Sequence, residues 1–297
     1  MGGDTAPWLR CKHVAAVTVP VDALKPIEFR YHRPTDLTQA LSLLTDFGED
    51  GKVIAGGQSL VPLMNMRLAR PDHLVDLNRV DELSYHRLDQ GCLAIGAMTR
   101  WSEIEASPLA ASGWPVLVEA IENVGHFQIR NRGTLGGSAA HADPAAELPA
   151  VLMATHASLI LRSARGIRTV AASDFFLGLF FTDLGPDELV VELRFPAPPR
   201  DGGYGFVEFS RRQGDFAVAG AVCVRDPSAE TSRLVIFGGA SRATELAIPS
   251  RLLDRPQEWV EEALRGLEID GDIHGGAVWR RQVMGEMAAR ACQRAAS

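Results

Sequence analysis

Two short clusters of glycine and polar residues hold the chemically informative positions of this sequence. They are Ala55-Gly56-Gly57-Gln58-Ser59-Leu60 and Thr134-Leu135-Gly136-Gly137-Ser138. Without a Cβ, glycine lets backbone come close to a ligand and take positive φ, so that successive N–H groups turn toward one anion. Gln58, Ser59, Thr134 and Ser138 add side-chain donors. Each donor to a charged phosphate is worth about 1.5–3 kcal/mol. Two such segments on opposite sides of a diphosphate hold a dinucleotide without a lysine. The competing explanation is a pair of tight turns, which is what a bare Gly-Gly ordinarily means. Neither cluster fits the G-x-G-x-x-G dinucleotide fingerprint.

Several neighbours admit two readings each. Asp143 accepts hydrogen bonds from ribose or polyol hydroxyls, or caps a helix opening at Pro144. Glu147 favours the dipole of that same helix. His126 and His141 flank the second cluster, as proton relays or as neutral hydrogen-bonded histidines. Arg130 and Arg132 reach phosphate or lie in solvent. In Arg211-Arg212-Gln213-Gly214-Asp215-Phe216-Ala217 the Gln-Gly-Asp is good turn text, while Phe216 offers a ring to lie against a flat aromatic system. The sequence has no G-x-S-x-G elbow, no H-E-x-x-H and no Walker loop, so hydrolase and NTP-driven chemistry lack support.

The elements that must position these residues follow from periodicity. A strand at 29–32 leads to Thr35 or Asp36 as the cap of a helix with Leu37, Ala40, Leu41, Leu44 and Phe47 on one face, stopped at Gly48. A strand at 52–55, the first cluster with Ser59 as a helix cap, a helix through Met66 to Ala69 and a strand at 73–77 complete a β-α-β-α-β unit. Beyond it, a strand at 92–96 precedes Thr99 as cap of a helix over 101–106, and a helix is expected over 115–123. Pro144 opens a helix over 145–154. Strands at 158–161, 168–170 and 189–195 end at the breaker run Pro196, Pro198, Pro199. Strands at 205–211, 218–224 and 233–237 and helices at 257–267 and 277–294 make up the remainder. The expected divisions are 1–26, an N-terminal extension; 27–80 and 81–199, two subdomains; and 200–297, a C-terminal domain.

At 297 residues and 46% apolar, the chain is long enough for more than one core. Its net charge of −7 argues against nucleic acid, which demands clustered Lys and Arg. No apolar stretch approaches the ~20 residues of a membrane-spanning helix. Val14 to Val19 is too short for a signal peptide, which leads to a cytoplasmic expectation. Cys11, Cys92, Cys223 and Cys292 have no C-x-x-C spacing, so a metal or iron–sulfur site within this chain is not expected. They read as isolated thiols.

Both clusters in order, with Pro62, Met66-Arg67-Leu68-Ala69, Gln128-Ile129-Arg130-Asn131-Arg132-Gly133 and Ala142-Asp143-Pro144, resemble the FAD-binding medium subunit of molybdenum hydroxylases. That family includes the flavin subunits of aerobic carbon monoxide dehydrogenase and of xanthine dehydrogenases. The resemblance runs from about residue 27 to the C-terminus and includes Asp174-Phe175-Phe176 and Arg211 to Phe216. It implies an α+β fold of PCMH/vanillyl-alcohol-oxidase type, with two subdomains around FAD and a C-terminal antiparallel sheet with helices.

By the same resemblance, Ala55 to Leu60 and Thr134 to Ser138 grip the diphosphate of non-covalent FAD, and Asp143 contacts its sugar chain. Leu184 falls where the family places an apolar residue near the flavin, and Phe216 where an aromatic covers the isoalloxazine. Gln58 replaces a histidine typical of the carbon monoxide enzymes, and Glu208 stands where some relatives carry a lysine. The implied partners are a small 2Fe-2S subunit and a large molybdopterin subunit, in a dimer of heterotrimers. Electrons then reach FAD on this chain and leave to quinone, NAD or a cytochrome, with no catalytic acid or base required of it. The alternatives are a self-sufficient PCMH-type flavin oxidase and a flavin-free assembly protein.

Overall fold

The computed structural model describes residues 25–297, so the expectation of an N-terminal extension lies almost wholly outside the described residues. The first unit alternates β1 (Arg30–His32), α1 (Leu37–Phe47), β2 (Gly51–Ile54), α2 (Leu60–Asn65) and β3 (His73–Asp76). Its sheet is parallel in the order β1-β3-β2. Leu37, Ala40, Leu41 and Leu44 bury the expected face of α1, and Asp36 accepts from the N–H of Gln39 at 2.9 Å. The sheet is parallel, so β2 and β3 end on the same edge. The residues after both strands therefore emerge side by side.

The second unit begins with β4 (His86–Asp89) and β5 (Cys92–Gly96), followed by α3 (Trp101–Glu105), α4 (Pro108–Gly113), α5 (Pro115–Ile121), α6 (Phe127–Arg130), α7 (Leu135–His141) and α8 (Glu147–Ala154). It continues with β6 (Ser158–Ser163), β7 (Gly166–Ala171), α9 (Ala172–Phe175), β8 (Phe176–Gly178), β9 (Phe181–Thr182) and β10 (Leu189–Phe195). Its main sheet is antiparallel, β4-β5-β10-β6-β7, and β8 pairs with β9 as a separate hairpin. The helices cover this sheet, burying Leu93, Ile95, Leu117, Ile121, Leu135, Leu152 and Phe195 in one cluster. Burying each such side chain contributes about 1.5–3 kcal/mol.

The third unit is a meander, β11 (Gly203–Phe209), β12 (Ala219–Arg225), β13 (Thr231–Phe237) and β14 (Thr244–Pro249), backed by α10 (Gln257–Arg265) and α11 (Ala277–Ala296). Phe206, Val222, Val224, Val235 and Phe237 point into the core of the second unit, while Ala221, Cys223, Leu234 and Ile236 face the two helices. That alternation is the period-2 pattern of a sheet covered on both sides. Among the described residues no helix is long and apolar enough to cross a membrane.

Local details differ from the sequence reading. The helix expected from Pro144 starts at Glu147, because Asp143 Oδ1 accepts from the N–H of Ala145 at 2.9 Å and holds a turn ahead of it. Thr99 caps nothing. It is buried, exchanging hydrogen bonds with the main chain of Tyr85, and Arg100 takes the cap position of α3. Ser59 sits before α2 without a side-chain cap bond, and α2 ends at Asn65. Cys223 and Cys292 do not stand apart: they meet in the C-terminal core, and the contact with the Cys292 thiol, together with burial, pushes the Cys223 thiol far up.

Candidate functional site

The first glycine cluster is a loop between β2 and α2, and the second is the start of a helix. Thr134 is the N-cap of α7, its hydroxyl accepting from the N–H of Gly137 at 3.1 Å. The two segments touch. A Cβ on Gly56 would collide with the Arg132 carbonyl oxygen and Gly133 Cα, and one on Gly137 would lie 3.4 Å from Ala55 Cβ. Gly136 is pressed as tightly onto Ala97. Gly56 and Gly136 are required by close approach to the main chain of Arg132–Gly133 and of Ala97, Gly137 is crowded by the Thr134 hydroxyl, and Gly57 takes positive φ, at 76°.

The donors are distributed unequally. Among the described residues no hydrogen bond uses the main-chain N–H of Gly56, Gly57, Gln58 or Ser59. In the second segment, by contrast, Leu135 N–H donates to Thr99 O, Gly136 to Ala97 O and Ser138 to Thr134 O, at 3.2, 2.9 and 3.1 Å. The free donors therefore belong to the first loop, and the second segment forms the wall against which that loop is pressed.

The first loop lines a cleft of about 460 Å³ together with Tyr31, Val61, Pro62, Asp76, Asn78 and Arg132. Asp76, Asn78 and Arg100 did not stand out in the sequence, although a parallel sheet directs ligands to the carboxyl ends of its strands. Asp76 and Asn78 lie at the end of β3, beside the loop that follows β2. Tyr31 donates to Asp76 Oδ2, and this bond with those from Asn78 holds the Asp76 carboxyl below its usual range despite a larger opposing effect of burial.

The remaining candidates spread around this pair. Arg132 faces the cleft, but Arg130 is structural, bound to Glu105 and to the carbonyls of Val124 and Gly125 at 2.9, 3.2 and 3.0 Å. Asp143 is half-buried just past α7, with Ser138 on the same helix. His141 packs against Phe180 with ring centroids 5.0 Å apart, and burial lowers its pKa. Leu184 follows the β8–β9 hairpin and packs on the rim of the main core. Phe216 is 64% exposed, on a turn whose Gly214 has φ +86° and rests on Gly125 and His126. That contact brings the third unit beside the segment leading into the second glycine cluster.

Two carboxyls lie deeper. Glu147, 5% exposed at the start of α8, is pushed up to about 7, chiefly by burial. Glu208 on β11 is pushed up to about 8 by burial first and by the charge of Glu147 second, and its Oε2 is buried with no hydrogen-bond partner among the described residues. The second and third units thus meet across two buried carboxyls whose pKa values are both raised.

A cleft edged by free N–H groups at a glycine loop, in an acidic chain, fits the diphosphate of a dinucleotide and leaves no space for side chains at Gly56 or Gly136. Residues 27–198 match the family described as "FAD binding domain in molybdopterin dehydrogenase". The chain is 40% identical over 283 residues to the 6-hydroxypseudooxynicotine dehydrogenase complex subunit alpha of Paenarthrobacter nicotinovorans, covering 92% of this chain and 96% of that one. It is 36% identical over 279 residues to the carbon monoxide dehydrogenase medium chain of Hydrogenophaga pseudoflava, covering 90% and 96%.

Among solved structures, a carbon monoxide dehydrogenase from Hydrogenophaga pseudoflava superposes with a TM-score of 0.85 at 35% identity, covering 91% of this chain and 98% of that chain. Quinoline 2-oxidoreductase from Pseudomonas putida gives a TM-score of 0.84 at 34% identity, covering 92% and 98%. Family match, near-complete coverage and shared fold converge on one assignment: this chain belongs to the FAD-binding domain family of the molybdopterin dehydrogenases.

Proposed function

We propose that this chain is the FAD-carrying medium subunit of a cytoplasmic molybdenum hydroxylase complex. It would work with a small 2Fe-2S subunit and a large molybdopterin subunit, assembled as a dimer of heterotrimers. The relatives are named as dehydrogenase chains or subunits, the family match covers residues 27–198, and the match to relatives and solved structures extends over about nine tenths of the chain. The division into 27–80, 81–199 and 200–297 belongs to the same proposal. The first two parts hold the dinucleotide between them, and the third faces the flavin end.

The observation that carries this reading is the set of unused N–H groups at Gly56, Gly57, Gln58 and Ser59, next to a second glycine segment. When bound, FAD would supply the redox chemistry, a passage of electrons between the clusters of the small subunit and an external acceptor such as quinone, NAD or a cytochrome. The chain's own residues bind and orient. Ala55 to Leu60 donate to the diphosphate, and Thr134 to Ser138 close the other side with backbone packing and the Ser138 hydroxyl. Asp143 accepts from sugar hydroxyls, Leu184 covers apolar surface, and the exposed ring of Phe216 shields the flavin face. No side chain is needed as acid or base.

Purification of the chain alone tests this. It should bind releasable FAD and turn over no organic substrate, whereas turnover by the isolated chain would favour a self-sufficient flavin oxidase. A chain that stays colourless after addition of FAD would reject both.

A further inference from the structure

No stretch of contiguous chain holds the two glycine segments together; side chains behind the cleft do. Asn78 donates through Nδ2 to Ala55 O at 2.9 Å and to Asp76 Oδ1 at 2.5 Å. Its own main-chain N–H donates to Asp76 Oδ1 at 2.9 Å. With Nδ2 committed to two oxygens, the amide has one orientation, and its Oδ1 accepts from Arg100 Nη2 at 2.5 Å. Arg100 Nη1 then donates to Arg132 O at 2.5 Å. Arg132 O is the atom that a Cβ on Gly56 would strike. A single relay, Ala55 to Asn78 to Arg100 to Arg132, thus spans the backbone on both sides of the contact.

We infer that Arg100 and Asn78 are positioning residues that lock the first glycine loop against the second segment and thereby set the affinity for FAD. The inference rests on the proposed reading of this cleft as the FAD site. The free N–H groups of residues 56–59 converge on one anion only while the loop is held, and an ordered loop spares the ligand the entropy of ordering it. Only a planar guanidinium reaches both acceptors at once, because a lysine ammonium is a single point donor on a flexible stem. Arg100 also sits close enough to Arg132 for the two like charges to interact. Together they place local positive charge beside the loop in a chain whose net charge is −7. Asn78 lines the cleft, but on this account it and Arg100 act through the backbone they hold and not as donors to the cofactor.

The experiment titrates FAD into the deflavinated full-length chain by flavin fluorescence, for the parent, Arg100→Lys, Asn78→Ala and the double variant. Urea midpoints of the apo forms and visible circular dichroism of the flavin are measured alongside. Arg100→Lys keeps the charge and should still fold, yet weaken FAD roughly tenfold and alter the dichroism, as for groups coupled in one network. The double variant should be no weaker than the worse single. Unchanged affinity and dichroism in Arg100→Lys, or single effects that simply add, overturn the relay while leaving the FAD site standing. Failure of the parent chain itself to take up FAD overturns the site reading and this inference with it.

Discussion

Raising the pH should loosen this fold well before any lysine titrates, and the cause is the Glu147–Glu208 pair. The Glu147 carboxyl is pushed up from an ordinary 4.5 to about 7, and that of Glu208 to about 8, by burial and, at Glu208, by the neighbouring charge. In the unfolded chain both ionise near 4.5. Between that pH and about 8 the folded state therefore binds more protons than the unfolded one, so stability falls as pH rises. The contribution is fully present below pH 4.5 and gone above about 8. Each pKa step is worth about 1.36 kcal/mol, so Glu147 alone accounts for roughly 3 kcal/mol. The two groups share one environment, so their effects do not simply sum.

The assay is urea unfolding of the apo chain at intervals from pH 6 to 9, for the parent and Glu208→Gln. The glutamine keeps the volume and the polar atoms but cannot ionise, so its midpoint should fall less steeply above pH 7. A parent midpoint that stays flat over this range would refute the argument, as would equal slopes for both proteins. Either result would mean that water reaches Glu208 Oε2 in solution.

The remaining expectations concern the cleft. Gly56→Ala places a methyl against Arg132 O and should drive the two segments apart, seen as loss of the flavin absorbance from the purified chain. Asp143→Asn keeps the turn that Oδ1 makes with Ala145 N–H but removes the charge, so FAD affinity should fall by about 1 kcal/mol or more with little change in unfolding midpoint. Phe216→Ala should leave FAD bound and the fold intact, because that ring is already 64% exposed, while raising accessibility of the flavin to fluorescence quenchers. Unchanged quenching would remove Phe216 from the site.

The first unit was readable because its pattern is local. Leu37, Ala40, Leu41 and Leu44 fall on one helical face, and Asp36 and Gly48 bracket it as the sequence indicates. Three of the four strands of the C-terminal meander were readable for the same reason, within a residue or two at their ends, whereas β14 was not foreseen. The starts of α7 and α8 were not. A glycine pair looks like a turn in sequence, but Thr134 satisfies the N–H of Gly137 and turns Leu135 to His141 into helix. Pro144 looks like a helix start, but Asp143 spends its carboxylate on the turn ahead of it.

Sequence alone determined the chemistry on offer: glycines where a Cβ would collide, hydroxyls beside them, and too few cations for a nucleic-acid surface. It also carried the family, since both glycine clusters occur in order and at their separation. Tertiary structure decided which donors are free, because the amides of Leu135 and Gly136 are consumed by the carbonyls of Thr99 and Ala97, which only folding brings near, while those of Gly137 and Ser138 are taken locally by the hydroxyl and carbonyl of Thr134. It likewise brought Asn78 to Ala55 and Arg100 to Arg132, and set Glu147 against Glu208. Hydrogen-bond satisfaction and desolvation depend on what lies within a few ångströms in space, and sequence fixes that neighbourhood only for residues within a turn or two of each other.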